Sequence, residues 1–182
     1  MKVLSNTLRR GPVTDHTRAA AQGEDLAWRY PARRYDTRKD VPAGPAICER
    51  CHASLETDHW RYDEHRYCEL QERSDVHHML CPGCLKIERR LYEGEVEVRH
   101  SWEAAVKEDV IHTIHNEEAR VRAANPGARI AVMEDKDHLL YILTTSAFLA
   151  ERIGKVVRNA HHGSLTITPL PRERFTRVRW VQ

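Results

Sequence analysis

The chain has 182 residues and a net charge of +2, with 41% hydrophobic and 31% charged residues. That length suits one ordinary domain, or a small domain beside a medium one. No apolar run approaches the roughly 20 residues of a membrane-spanning helix, and the polar opening MKVLSNTLRRGPVTDH lacks the apolar stretch of a signal peptide. We therefore expect a cytoplasmic protein, in which cysteines more often bind metal or do redox chemistry than form disulfides.

Residues 1–45 are predicted to form a flexible basic arm. The sequence WRYPARRYDTRKDVP mixes proline, aromatic and basic residues without a period of 2 or 3.6. Such a segment cannot bury enough apolar surface to offset the entropy that it loses on ordering. We expect it to fold onto a partner. Its candidate RNA contacts are Arg29, Arg33, Arg34, Arg38 and Lys39.

Two CxxC pairs dominate residues 46–92. ICERCH contributes Cys48 and Cys51, and LCPGCLK contributes Cys81 and Cys84. Each CxxC turn directs two thiolates at one metal, so two turns predict a four-cysteine zinc site, and Gly83 suits such a turn because it adopts positive φ readily. A hairpin within the spacer would make the segment a zinc ribbon, and HWRYDEHRY (His59–Tyr67) has the aromatic content of such a hairpin. Four cysteine ligands leave no open coordination position, so the predicted site is structural and not hydrolytic.

Other interpretations of this segment stay open. A redox dithiol or metal-sensing switch is the alternative to zinc, although a thioredoxin-type site needs a single CxxC at a helix start. Cys68 is either a spare thiol or a further ligand. Substitute ligands are also available at His52, His59, His65, His77 and His78. Because the segment has few apolar residues, we expect zinc binding to supply its folding free energy.

Residues 93–182 alternate between strand and helix patterns. The predicted strands are GEVEVRH, RIAVMED, LLYILTT, SLTIT and RFTRVRWV. One predicted helix begins at a Ser101 cap and ends at the NPG sequence of residues 125–127, and a second begins at Ser146. The order β-α-β-β-α-β-β predicts a ferredoxin-like α+β sandwich with one extra strand. Both helices would cover one face of the sheet and leave the other face open.

The last predicted strand suggests a row of arginines for RNA binding. Arg177 and Arg179 alternate with apolar residues, and arginine forks bind phosphates well. Lys and Arg also outnumber Asp and Glu over residues 150–182 and 1–45, whereas acidic residues predominate over 46–100. Basic ends favour a polyanionic partner, although an ordinary solvated surface has the same composition. The full cationic set here is Lys155, Arg158, His161, His162, Arg172, Arg174, Arg177 and Arg179.

No catalytic motif is recognisable, so we expect a protein without enzymatic activity. The chain contains no GxGxxG, GxxxxGK[ST], GxSxG or HExxH sequence. One dense polar cluster, HNEEARVR (His115–Arg122), lies on the first predicted helix of residues 93–182. It is either a face for a protein partner or a solvated face with ion pairs such as Glu118–Arg122.

The knuckles CERC and CPGC, with IHNEEARVRAANPGARIAVMED, LLYILTTSAFLAERIGKVVRNAHHGSLTI and RVRWV, resemble a bacterial family of small zinc-ribbon proteins. That family is distantly similar to the zinc-bearing amino-terminal part of the adaptor that exports the large ribosomal subunit in eukaryotes. The resemblance covers roughly residues 46–182. It implies contact with the ribosome or ribosomal RNA, and a stress-related ribosome hibernation factor as one function. The alternative is a protein-interaction adaptor or a transcription-linked zinc-ribbon regulator.

Overall fold

The computed structural model describes residues 42–57 and 59–182, which form a mixed α+β protein with two sheets and four helices. The strands are β1 Ala46–Cys48, β2 Ala53–Glu56, β3 His59–Tyr62, β4 His77–Met79, β5 Gly94–Arg99, β6 Ile130–Lys136, β7 Leu139–Thr144, β8 Ser164–Leu170 and β9 Phe175–Val181. The helices are α1 Glu64–Gln71, α2 Pro82–Glu88, α3 Ala104–Ala124 and α4 Ala147–Ala160. None of these helices has the length and apolar character needed to cross a bilayer.

The first sheet, in the order β3-β2-β1-β4, forms a small lobe with α1 and α2. Strand β1 pairs antiparallel with β2 and parallel with β4. Because side chains alternate along a strand, Ile47 packs with Tyr67 and Leu70 of α1, while Cys48 belongs to a separate cluster. A hairpin is present in the spacer as β2–β3, but only β3 lies in the predicted stretch His59–Tyr67. The rest of the spacer adds a helix and a fourth strand, so this lobe is larger than a simple ribbon.

Helix α1 begins where the sequence suggested the second half of a hairpin. The side chain of Asp63 accepts a hydrogen bond from Arg66 N at 3.0 Å, which caps the first turn of the helix. Arg66 also forms ion pairs with Glu56 of β2 and Glu69 of α1. The cap stabilises the start of the helix at this point, and the ion pair with Glu56 links the helix to β2.

The second sheet has the order β6-β7-β5-β9-β8. Its elements follow in the predicted sequence, and β5, α3 and β6 form a split βαβ unit with β7 between the two strands. A ferredoxin-like fold would place the strand after α4 directly beside β5. Instead β9 occupies that position, parallel to β5, and β8 lies outside it. The apolar β9 buries Val178 and Trp180, whereas β8 carries Pro169, which suits an edge.

Helices α3 and α4 cover one face of this sheet. Val110, Ile114 and Val121 of α3 and Leu149, Ile153 and Val157 of α4 are buried at helical spacing against alternate residues of β5, β7 and β9. Helix α3 begins at Ala104 with Glu103 as its N-cap. The predicted Ser101 cap is therefore wrong, because Ser101 N instead donates to Gln182 Oε1 at 3.1 Å.

The opposite face of the second sheet is buried in one part and exposed in another, for example at Arg99 and Arg179, so it is open only in part. Tyr141, Leu143 and Phe175 form a second apolar cluster with Tyr92. Glu95 lies on this face and is only 3% exposed. Burial raises the pKa of Glu95 even though Arg177 lies opposite it.

Candidate metal centre

The parallel pairing of β1 and β4 brings the two CxxC sequences together. Cys48 ends β1 opposite Met79 of β4, two residues before Cys81. Because the two strands run in the same direction, the chain leaves both of them at the same edge of the sheet. Cys51 lies in the turn after β1, and Cys84 lies in the first turn of α2, for which Cys81 is the N-cap.

The four cysteine sulfurs form a compact buried cluster. The Sγ atoms of Cys48, Cys51, Cys81 and Cys84 all lie within 4.8 Å of one another. None of the four residues is more than 7% exposed. Tetrahedral zinc with Zn–S bonds of about 2.3 Å separates its sulfurs by about 3.8 Å, so the donor set fits that coordination. In the described part of the chain, no other group of three or more ligating side chains comes together in this way.

Ionisation of some of the four thiols opposes ionisation of the others. Hydrogen bonds from Cys51 first, then from Cys81 and Cys84, lower the pKa of Cys48. The corresponding bonds to Cys48 and Cys51 raise the pKa of Cys81 and of Cys84. Although its hydrogen bond with Cys48 acts to raise it, the pKa of Cys51 is lowered to about 6 by hydrogen bonds from Cys81 and Cys84. Two of the four thiolates are thus favoured, and ionisation of the other two is opposed. A bound divalent cation relieves this conflict because it stabilises all four thiolates together.

Three arginines surround the cluster. Arg129 Nη1 lies 3.9 Å from Cys84 Sγ, and Arg122 Nη2 donates to the Cys51 carbonyl at 3.0 Å. Arg50 Nη1 donates to the Cys84 carbonyl at 3.5 Å. Four thiolates around a divalent cation carry net negative charge, so these guanidinium groups offset the cost of burying it. The sequence predicted no such role for them. Arg122 and Arg129 lie near NPG, and no spacing relates them to a distant CxxC pair, while Arg50 lies within CERC, where its reach to the second knuckle depends on the fold.

The metal centre lies where the two lobes meet. Gly83 of α2 packs so closely on the NPG turn that a Cβ atom there would lie 2.3 Å from Pro126 O. The expectation of a positive φ at Gly83 is wrong, since this residue is helical and its missing side chain serves close packing. A left-handed backbone conformation occurs instead at His52, which directly follows CERC and has φ of 61°.

The other candidate ligands lie outside the sulfur cluster. Cys68 is exposed on α1. His52 Nδ1 lies 2.7 Å from Glu64 Oε1, and its ring stacks on Tyr67 at 4.2 Å between centroids. His52 therefore braces the first knuckle against α1.

The polar cluster HNEEARVR connects structural elements. Glu118 Oε1 accepts from Ile130 N at 2.8 Å and lies 3.4 Å from Arg129 Nε. Arg122 contacts the first knuckle and lies over the Tyr62 ring, 3.7 Å from its centroid. The predicted Glu118–Arg122 ion pair is thus wrong, because each side chain has another partner. The role of the His115–Arg122 face toward a protein partner stays a prediction.

The predicted arginine row on β9 is matched by a row of carboxylates on β5. The register places Glu95 opposite Arg177 and Glu97 opposite Arg179. Their closest N–O distances are 3.4 Å and 3.5 Å. These two arginines therefore lie in ion pairs within the sheet, which sequence alternation alone could not reveal.

The fold separates the remaining cationic candidates. Lys155 pairs with Glu151 on α4, and Arg158 Nη2 lies 3.4 Å from Asn159 Oδ1. His161 packs against Trp102, 4.9 Å between ring centroids, and His162 follows it near the start of β8. Arg172 and Arg174 lie in the β8–β9 turn, about 20 Å away along a seven-residue strand. The five cationic candidates of residues 1–45 lie outside the described residues: Arg29, Arg33, Arg34, Arg38 and Lys39.

No protein-family model, curated protein or solved structure matches this chain. The resemblance to zinc-ribbon proteins, and the ribosome contact that it implies, therefore stay predictions from the sequence.

Proposed function

We propose that the chain is a non-enzymatic zinc protein that binds the ribosome or its RNA. The observation that carries the zinc part is the buried cluster of four cysteine sulfurs within 4.8 Å. Tetrahedral sites made only of thiolates favour zinc or iron, and zinc commonly serves in such closed structural sites. All four ligand positions are supplied by the chain, so the ion would have no position for substrate.

Zinc would stabilise the small lobe and its contact with the second lobe. Cys48 and Cys51 hold the turn after β1, while Cys81 and Cys84 hold the start of α2. The free energy of binding the ion thereby becomes free energy of folding. We therefore expect Cys84→Ser to lose the ion and to unfold the small lobe. The matched control Cys68→Ser should keep both, since Cys68 is exposed and outside the cluster.

The RNA part of the proposal is supported by charge and by the resemblance stated above. Arg158, Arg172 and Arg174 are exposed, and no ion pair among the described residues involves them. Exposed arginines bind the phosphate backbone in a salt-dependent manner. A role in stress-related hibernation further predicts that the protein accumulates on ribosomes in stressed cells.

Sedimentation through sucrose gradients tests ribosome binding directly. We expect purified protein to migrate with ribosomes at low salt and to dissociate progressively as salt rises. Protein that stays at the top of a low-salt gradient contradicts the proposal. The zinc-loaded Cys68→Ser variant should migrate like the wild type.

A protein-interaction adaptor is the second candidate function. Phe148, in the first turn of α4, is 58% exposed, and Val106 of α3 is 37% exposed. Large exposed apolar side chains are found at protein interfaces. Pull-down after nuclease treatment separates the two functions, because a directly bound protein is retained whereas a ribosome tethered through RNA is lost.

A further inference from the structure

One end of the second sheet gathers arginines from two distant segments. At this end β7 finishes and both β5 and β9 begin, since Gly94 pairs with both Thr144 and Thr176. Arg172 and Arg174 lie in the turn that leads into β9. Arg90 lies between α2 and β5.

A backbone hydrogen bond aligns these two segments. Thr176 N donates to Glu93 O at 2.9 Å, so the chain that carries Arg90 runs beside the start of β9. The amino terminus of α4 lies at the same end, because Ser146 follows β7 by two residues. A helix amino terminus contributes positive potential there.

The positive charge at this end is largely uncompensated. Among residues 42–57 and 59–182, no ion pair involves Arg90, Arg172 or Arg174, and all three are exposed. Nearby acids already have partners: Glu93 lies 2.6 Å from Lys86 Nζ, and Glu88 lies 2.5 Å from Arg50 Nη2. Glu173 is the acidic residue of the β8–β9 turn itself.

Two of the three arginines occupy left-handed backbone positions, with φ of 54° at Arg90 and 52° at Arg174. At Arg90 the helix ends with Leu91 N bonded to Lys86 O at 2.8 Å. Such a position is usually taken by glycine or asparagine. An L-residue with a long side chain is less favourable there than glycine. Arg90 and Arg174 thus occupy positions where the backbone conformation favours glycine or asparagine, so we look to their side chains for a function.

We infer that Arg90, Arg172 and Arg174 form a phosphate-binding edge for the backbone of structured RNA. This inference rests on the proposed function and names the surface that carries it. Guanidinium groups bind phosphate oxygens in a forked geometry. The edge contacts backbone and not bases, so it binds RNA with little sequence preference. Arg158 lies near the end of α4, beside the start of β8, whereas the β8–β9 turn follows the end of β8; Arg158 is therefore not part of the edge.

Filter binding of purified bacterial ribosomal RNA over a series of KCl concentrations tests the edge. The triple variant Arg90→Gln, Arg172→Gln, Arg174→Gln removes three charges from it. The plot of log affinity against log salt should become shallower by about one for each arginine that contacts phosphate. The control Arg61→Gln, Arg73→Gln removes two exposed charges from the small lobe, away from this end of the second sheet, and should keep the wild-type slope. Zinc content and the thermal midpoint establish that every variant is folded.

The outcomes distinguish the edge from the proposed function. Wild-type binding with a shallower slope only in the triple variant supports the edge. Wild-type binding with an unchanged slope in the triple variant overturns the edge and leaves the proposed function standing. An equal loss of slope per charge in the control also overturns it, because net charge alone would then explain binding. Failure of the wild type to bind at low salt overturns both.

Discussion

Gly83→Ala tests whether the small lobe docks on the NPG turn. Alanine has the higher helix propensity, which by itself would stabilise α2 by about 1 kcal/mol. The added Cβ atom would lie 2.3 Å from Pro126 O, where ordinary contacts begin at 3.4 Å. The two lobes must therefore separate by about 1 Å, and such overpacking typically costs about 1–3 kcal/mol. The middle of that range less the gain in helix propensity leaves an expected net loss of about 1 kcal/mol in the free energy of unfolding.

Urea denaturation of zinc-loaded wild type and variant measures this difference. For a chain of this size, each kcal/mol also corresponds to about 2–4 °C in Tm. Gly83→Ala should retain one zinc per chain, because the side chains of Cys81 and Cys84 are unchanged. A variant as stable as the wild type, or more stable, refutes the docking, since helix propensity would then act alone.

Three further predictions concern residues away from the sulfur cluster. Arg174→Gly should raise the free energy of unfolding by about 1 kcal/mol because it relieves a left-handed arginine, whereas Arg174→Gln should not; equal stability of the two variants in urea would contradict this. Burial first, and then Lys107, lower the pKa of His100 in the folded protein. The free energy of unfolding should therefore be fully retained above about pH 6.5, where His100 is neutral in both folded and unfolded protein, and should decline as the pH falls toward the lowered folded pKa. Thermal melts should show that decline in the wild type and a weaker one in His100→Phe. Glu117, 7% exposed and paired with Arg120 and Arg152, has a lowered pKa, for which its hydrogen bond to Arg120 is the main cause. Glu117→Gln should cost about 1.5–3 kcal/mol near neutral pH, and the difference from the wild type should vanish as acid protonates Glu117.

Local patterns in the sequence predicted the four-cysteine cluster and the order of elements in residues 93–182. Each CxxC pair is a local feature, and two such pairs together offer the four ligands of one tetrahedral metal site. The strands and helices likewise follow from apolar periodicity, as at Leu149, Ile153 and Val157 on α4. These features depend on residues only a few positions apart, so the sequence records them directly.

Features that depend on strand order were not predictable from the same patterns. Alternation correctly placed Arg177 and Arg179 on one face of a strand, but only the pairing of β9 with β5 sets them opposite carboxylates. The contact of Gly83 with Pro126 likewise joins segments more than 40 positions apart. The sequence does not distinguish Arg90 either, because a cation after a helix is ordinary and its left-handed φ is a property of the folded backbone.

X-ray absorption at the zinc edge, on protein purified without added metal, tests the central claim most directly. The account predicts one zinc per chain, bound by four sulfurs at about 2.3 Å, with no nitrogen or oxygen ligand. Metal-free protein that is nevertheless folded, or a coordination shell that contains nitrogen or oxygen, would contradict it.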